Sequence, residues 1–403
     1  MTADVNLYPI FETATRANPQ AIYKQMREEN PIWKAMSPFG NPMWFFTRYE
    51  DVVNVLKDQR FIKDGRNNLP PEHAARYYMA DPDPIWLAID RHMLNLDAPD
   101  LTRVRGLVHK AFTPKRVRDL EPRIEEIASE LLDAMAQKSE GDLIDDFAFP
   151  LPITVIAEMI GVEKERRDDF RRWTQVLLFG MSEADSRQSI MELVQYTNEL
   201  IEARRNEDTG DILSALVNLD DDGDTLDHME LISMVFLLLV AGHETTVNLI
   251  GNGMLLLLQH PKQFEQLRDD RSLMKTAVEE MLRYNGPVEC PTIRFASEDI
   301  EVNGVVIPTG DIVRPSLLGA NRDPEVFENP DVFDITRDPN PHVAFGHGIH
   351  FCLGAPLARM EGMIAFNALL DRVPNLQLTA NVDDLEWNAN LLIHGLKKLP
   401  VKW

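Results

Sequence analysis

Ten residues, Phe345 to Gly354, read FGHGIHFCLG and hold two histidines, one cysteine and three glycines, with His342 just upstream. Histidine and cysteine are soft metal ligands, and glycine lets backbone pass close to a bound group. Three readings are open. The first is a turn with a buried free thiol, since a lone cysteine often behaves as a small hydrophobe. The second is a zinc site of His342, His347, His350 and Cys352. The third is a flat macrocyclic metal complex with Cys352 as axial thiolate.

The zinc reading asks for rigid ligands where Gly346 and Gly348 intervene, and shows no neighbouring acid to orient a histidine. The macrocycle reading uses the same glycines, because backbone must run close beneath a wide flat ring. A thiolate also needs N–H donors, which a turn opening into a helix at Gly354 supplies. Haem carries two anionic propionates, and His350 is a hydrogen-bonding or cationic partner for one.

A second chemical cluster interrupts an apolar run. From Leu231 to Gly242 the only polar side chain is Ser233, and then His243, Glu244, Thr245 and Thr246 follow in sequence. An acid and an alcohol inside an apolar helix are costly unless they are bonded or used. Ala241 and Gly242 are small and leave room for a ligand, while Glu244 and Thr245 have the groups to relay protons. The alternative is that Thr245 bonds back to a helix carbonyl and kinks the helix. The uninterrupted apolar stretch is too short for a membrane span, so the expectation is a helix buried in a soluble protein.

The elements that must position these residues follow from turn and cap signals. Ile32–Ala35 and Met43–Phe46 flank a Ser-Pro-Phe-Gly-Asn turn and read as a hairpin. Lys63 to Asp100 reads as one long irregular loop, polar and proline-rich, of the kind that tends to carry function. Thr102 to Arg205 has helical periodicity broken at Pro114, Pro150, Pro152 and Gly161. Pro261 opens a helix, and Asn303-Gly304 marks a hairpin turn within short strands from Thr292 to Val313. Asn321 to Pro341 reads as ordered coil, Gly354 to Val373 as helix, and Leu376 to Trp403 as short strands. The sum is a mainly α chain with a minor β-sheet region, expected as one domain over residues 1–403.

Other motifs fail. Asp220-Asp-Asp-Gly223 lacks the glutamate a calcium loop needs, since Met229 stands at its twelfth position. Gly251-x-Gly253 and Gly346-x-Gly348 lack the third glycine of a dinucleotide fingerprint. The net charge of −24, from 41 Lys and Arg against 65 Asp and Glu, argues against nucleic acid and anionic lipid as partners. With only Cys290 and Cys352, and no apolar leader at the N-terminus, a reducing cytoplasmic setting is expected.

FGHGIHFCLG resembles the haem-thiolate signature of cytochrome P-450 monooxygenases, Phe-x-x-Gly-x-His-x-Cys-x-Gly, matching at Phe345, Gly348, His350, Cys352 and Gly354. Ala241-Gly-His-Glu-Thr245 resembles the family's oxygen-binding kink, and Glu280-Met-Leu-Arg283 its Glu-x-x-Arg pair. The motifs fall in the family's order across nearly the whole chain. The resemblance implies the triangular-prism fold, with haem b (iron protoporphyrin IX) between the long helix and the cysteine loop. It implies Cys352 as the metal ligand, with Phe345, Gly346 and Gly354 around it. Arg105, Arg294 and His350 are the implied propionate partners; the histidine that many bacterial members carry four residues before the arginine is Leu101 here. Glu280, Arg283 and Arg337 are the implied structural triad.

The implied reaction inserts one oxygen atom of dioxygen into a mid-sized hydrophobic substrate of the polyketide, terpenoid, steroid or fatty acid class. Electrons are expected from a separate ferredoxin and its reductase. The cationic group Arg103, His109, Lys110, Lys115, Arg116 and Arg118, with Arg359, is the expected docking face, the alternative being a solvated basic surface. The expected pocket lining is Leu69, Met79, Trp86, Leu87, Leu177, Leu178, Met181, Leu238, Val240, Ala241, Glu289, Thr292, Leu392 and Ile393, with Glu289 and His394 as candidates for a polar substrate end. A hydrogen-peroxide-dependent peroxygenase, a zinc-dependent hydrolase and a haem carrier or sensor are the alternatives.

Overall fold

The structure is a computed structural model that describes residues 8–179, 182–388 and 390–403, the side chains of 178 and 179 excepted. It divides into two compact units. The first comprises residues up to Tyr77, Ala128–Ala148 and Thr245–Trp403; the second comprises Tyr78–Ile127 and Phe149–Glu244.

The first unit holds the sheets. Ile32–Met36 and Pro42–Phe46 form the expected antiparallel hairpin, with Ile32 opposite Phe46 and Met36 opposite Pro42. Gly40 closes its turn at φ +79°. Five strands follow in the spatial order Ile32–Met36, Pro42–Phe46, Ile312–Pro315, Arg294–Ala296, Phe61–Ile62. The pairing of Pro42–Phe46 with Ile312–Pro315 is parallel and the rest are antiparallel. Phe46, Val55, Phe61, Val313 and Leu317 pack into one apolar cluster against this sheet. Asn303 (φ 50°) and Gly304 (φ 79°) make the left-handed turn between Ile300–Val302 and Val305–Ile307, which is why Asn-Gly sits there.

Two helices of this unit carry the site's scaffold, Met274–Asn285 and Ala355–Arg372. Between them, residues 321–347 contain no helix or strand yet are pinned by side-chain bonds. The tail adds Pro400–Lys402, paired with both Glu140–Asp142 and Gln377–Leu378.

The second unit is helical. Its segments include Asp100–Ala111, Pro114–Asp119, Pro150–Ile160, Arg167–Phe179, Glu183–Asn206 and Ile212–Val217. Pro114 and Pro150 do not break helices; they begin them, because the first helical residue needs no N–H partner and proline's φ is already helical. Gly161 ends Pro150–Ile160 in the left-handed conformation at φ +83°.

The stretch from Lys63 to Asp100 corrects an expectation. It is not one irregular loop but contains the short helices Gly65–Asn68, Pro71–Ala74 and Pro84–Ala88. The prolines responsible for the coil reading start two of them, and Asp64 and Asp83 cap two by accepting from Asn67 N–H and Ile85 N–H.

The long helix His228–Gln259 runs through both units, the division falling between Glu244 and Thr245. It is long and apolar enough to cross a membrane, but 67% of its most apolar window is buried in protein, as befits a core helix. Apart from its two ends and the half-buried Phe236, its accessible residues lie in mid-helix. Ala241 is exposed, and Val240, Gly242 and Thr245 are half-buried, in a helix that is otherwise mostly buried around them.

Candidate active site

Cys352 lies three residues before the helix Ala355–Arg372, and its thiol is exposed. Its backbone N–H donates to the Phe345 carbonyl at 3.0 Å, closing the loop on itself. Gly346 and Gly348 have φ of +71° and +74°. A Cβ on Gly348 would stand 2.7 Å from the Leu56 carbonyl oxygen, so backbone approaches backbone there. A Cβ on Gly354 would sit 4.0 Å from the Cys352 sulfur. The first N–H groups of the following helix have no carbonyl partner within it and present partial positive charge at this end.

The histidines do not gather around the thiol. His342 Nε2 pairs with Glu279 Oε2 at 2.9 Å, and its Nδ1 accepts the Ala344 N–H. His347 Nδ1 accepts the Gly348 N–H at 2.7 Å. Among the described residues, no group of three or more His, Cys, Asp and Glu is arranged to hold a metal ion. A protein-only zinc site therefore does not fit. One accessible thiol on a glycine-lined turn does fit haem, which brings its own ring nitrogens to the iron and would need one protein ligand, Cys352. Cys290, the second cysteine, is fully buried, and burial pushes its thiol up to about 11.

Arg294 is buried in the central sheet, with Nη1 donating to the Phe61 carbonyl at 3.1 Å. His350 is half-buried in a single 3-10 turn, Gly348–His350. Arg105 is half-buried in the second unit on the helix Asp100–Ala111. Leu101 on that helix is buried, an apolar core residue at the position where many bacterial members carry histidine.

In mid-helix, Glu244 turns inward and is 5% exposed, with Oε2 3.6 Å from His243 Nε2. His243 is fully buried; burial lowers it to about 4 against the help of its bond to the Leu239 carbonyl. It is neutral at pH 7, and its Nδ1 lies 2.6 Å from that carbonyl. Gly242 corrects an expectation: a Cβ there would lie 3.0 Å from Ile156 Cδ1, so its small size serves helix packing. Ala241, by contrast, is exposed.

One buried acid escaped the sequence reading. Glu361, on the helix after Cys352, is 1% exposed; burial raises it to about 8, opposed by a bond with Thr246. The signal was a glutamate on the apolar face of that helix, spaced with Leu357 and Ala365, both buried.

The expected triad is assembled. Arg283 Nε and Nη2 each reach Glu280 at 2.7 Å, both residues being fully buried, and Arg337 Nε reaches Glu280 Oε2 at 3.2 Å. Glu280 also accepts the Asp334 N–H and the Asn340 amide, and Arg283 donates to the carbonyls of Asn321, Pro330 and Val332. The coil before the cysteine loop is therefore held in large part by this one buried ion pair.

The expected pocket set divides between the units. Met79, Trp86, Leu87, Leu177, Leu178, Leu238, Val240 and Ala241 belong to the second, and Met181 lies outside the described residues. Met79 and Trp86 are exposed, and Leu238 is buried. In the first unit Leu69 and Ile393 are buried and Leu392 is half-buried.

The two candidates for a polar substrate end, Glu289 and His394, are corrected. Glu289 is fully buried, with Oε1 and Oε2 3.0 and 2.9 Å from Arg16 Nη1 and the Tyr23 hydroxyl 2.6 Å away. A carboxylate so paired is a core anchor, not a substrate contact. His394 is stacked on Trp387 at 4.5 Å and bonded to Asn285. The Thr292 hydroxyl and carbonyl are both held by the Lys63 ammonium.

Three members of the expected docking face carry ion pairs. Arg103 is paired with Asp224 and Glu230, Lys110 with Asp221, and Arg359 with Glu279. These cations already have carboxylate partners within the chain.

Comparison with known proteins agrees with this geometry. The family model described as Cytochrome P450 matches residues 153–392. Over 397 residues the chain is 51% identical to Cytochrome P450 107B1 of Saccharopolyspora erythraea, covering 97% of this chain and 96% of that protein. It is 44% identical to Polyketide biosynthesis cytochrome P450 PksS of Bacillus subtilis, with 95% of each covered. The crystal structure of myxobacterial cytochrome P450 CYP267B1 in complex with myristic acid is similar at a TM-score of 0.92 and 45% identity, covering 98% of each chain.

Proposed function

Because the chain belongs to the cytochrome P450 family of oxidoreductases, we propose that it is a cytoplasmic haem-thiolate monooxygenase, one catalytic domain using dioxygen on a mid-sized hydrophobic substrate. The observation that carries the reading is the single accessible thiol of Cys352 on its glycine-shaped turn, with the neighbouring histidines engaged elsewhere. Haem b, when bound, supplies the redox chemistry that activates dioxygen.

The chain's own residues supply holding and proton handling. The Phe345 carbonyl fixes the Cys352 backbone, and the Glu280 triad fixes the coil leading to it. Arg294 and His350, with Arg105 by family likeness, are the partners for propionates. The Thr245 hydroxyl, half-buried in mid-helix, presents and receives protons, and Glu244 beside neutral His243 is their source.

For the substrate, the relative named for polyketide biosynthesis and the structure holding myristic acid favour a long, largely apolar molecule of the polyketide or fatty acid type. Electrons come from a separate ferredoxin and its reductase.

The test is turnover with a panel of macrolides and fatty acids, a ferredoxin–reductase pair and dioxygen, against the same panel with hydrogen peroxide alone. Product that requires dioxygen and electrons, and that falls in Thr245→Ala while dioxygen uptake continues, supports the reading. Product formed equally well with peroxide and unaffected by Thr245→Ala favours the peroxygenase.

A further inference from the structure

Glu279 and Glu280 are consecutive on the helix Met274–Asn285, yet they serve different segments. Glu280 holds the coil through Arg283, Arg337, Asn340 and the Asp334 N–H. Glu279 turns to the cysteine loop. Its Oε1 accepts from Arg359 Nε at 2.6 Å and its Oε2 from Arg359 Nη2 at 2.8 Å, a two-pronged grip. The same Oε2 is 2.9 Å from His342 Nε2. Partial burial pulls this carboxyl up, but Arg359 and His342 outweigh it and bring it to about 2, so Glu279 is charged at any working pH.

The guanidinium so fixed lies over an aromatic ring. Arg359 Cζ is 4.4 Å from the centre of the Phe345 ring, within cation–π range. Phe345 in turn accepts the Cys352 N–H through its carbonyl. A continuous chain of contacts therefore runs from Glu279 through Arg359 and Phe345 to the backbone of Cys352. His342 closes it from the other side, bonded to both Glu279 and the Ala344 N–H, one residue before Phe345.

We propose that Arg359, oriented by Glu279, is a positioning residue for the Cys352 thiolate: it clamps the Phe345 ring and so holds the loop in the geometry that keeps sulfur on the metal. This rests on the haem-thiolate reading above and adds to it a role for a residue that the sequence placed on a docking face. Arginine is suited to it, because a planar cation can stack on the ring while its edge meets a carboxylate. Lysine can satisfy the charge alone.

The measurement is the lifetime of the red-shifted Soret band in the dithionite-reduced carbon monoxide complex, followed as it decays to the ordinary haem position. It is made for the wild type, Arg359→Ala, Arg359→Lys, Phe345→Leu and the Phe345→Leu/Arg359→Ala double variant. The wild type holds the band. Arg359→Ala loses it roughly two- to thirtyfold faster, the span of a cation–π contact. Arg359→Lys, which keeps the charge and is the milder change, falls between them. In the Phe345→Leu background the Arg359→Ala change adds little, because its route is gone.

A band in Arg359→Ala as durable as in the wild type overturns the proposal. So does an Arg359→Ala effect that is undiminished when Phe345 is replaced. A wild-type protein with no red-shifted band overturns the haem-thiolate reading itself, a different failure seen before any variant is compared.

Discussion

Replacing Glu361 by glutamine should change how the protein's stability depends on pH. The native carboxyl is fully buried with Oε2 unbonded, and its pKa is raised from 4.5 to about 8. The native state therefore holds this proton more tightly than the unfolded chain does. The stability it contributes is fully present below the unfolded value of 4.5 and is lost as pH rises through about 8.

Integrating the linkage between pH 6 and pH 8 gives a loss of about 2 kcal/mol in the wild type from this one group. Glu361→Gln cannot titrate, so it lacks that loss. Any cost of fitting the amide is the same at both pH values and cancels in the difference. For a chain of this size the effect is about 2–3 °C in Tm. Thermal unfolding of haem-loaded wild type and Glu361→Gln at pH 6 and pH 8, at one ionic strength, should show the wild type losing that much more on going to pH 8. Parallel shifts in the two proteins would refute the burial argument.

Two further sets of variants test the scaffold. Arg283→Ala takes from the fully buried Glu280 its two shortest bonds, leaving Arg337, Asn340 and the Asp334 N–H, and should cost about 3 kcal/mol, read from denaturant unfolding. Arg337→Ala, which removes the more exposed partner at 3.2 Å, should cost clearly less. Gly346→Ala and Gly348→Ala both place a side chain at positive φ, a strain of about 1–2 kcal/mol each. Only Gly348→Ala also drives a Cβ into the Leu56 carbonyl, so its thermal midpoint should fall further and its haem content drop.

What the sequence made legible was local. Asn303-Gly304, the Ser-Pro-Phe-Gly-Asn turn, the glycine after Ile160 and the proline before Lys262 each act within a few residues, and each formed the expected element. The cysteine loop was legible for the same reason, since Cys352 and its glycines lie in one short run. The Lys63–Asp100 reading failed because proline punctuates both coil and helix starts, and only the following residues decide which.

The partners that join distant segments were not legible. Arg16 and Glu289 are 273 residues apart, and Glu279 and Arg359 are 80 apart. Nothing near Glu289 in sequence announces that an arginine from the N-terminal segment will consume its charge. Gly242 shows the same limit. A small residue beside a reactive pair reads as room for a ligand, while the space it leaves is filled by Ile156 from another helix.

The most direct measurement is the visible spectrum of the dithionite-reduced protein under carbon monoxide, wild type beside Cys352→Ser. The account predicts the strongly red-shifted Soret band of a thiolate-ligated haem in the wild type, and its loss or return to the ordinary haem position in Cys352→Ser. A colourless wild-type protein, or one whose band is unchanged by replacing Cys352, would contradict it.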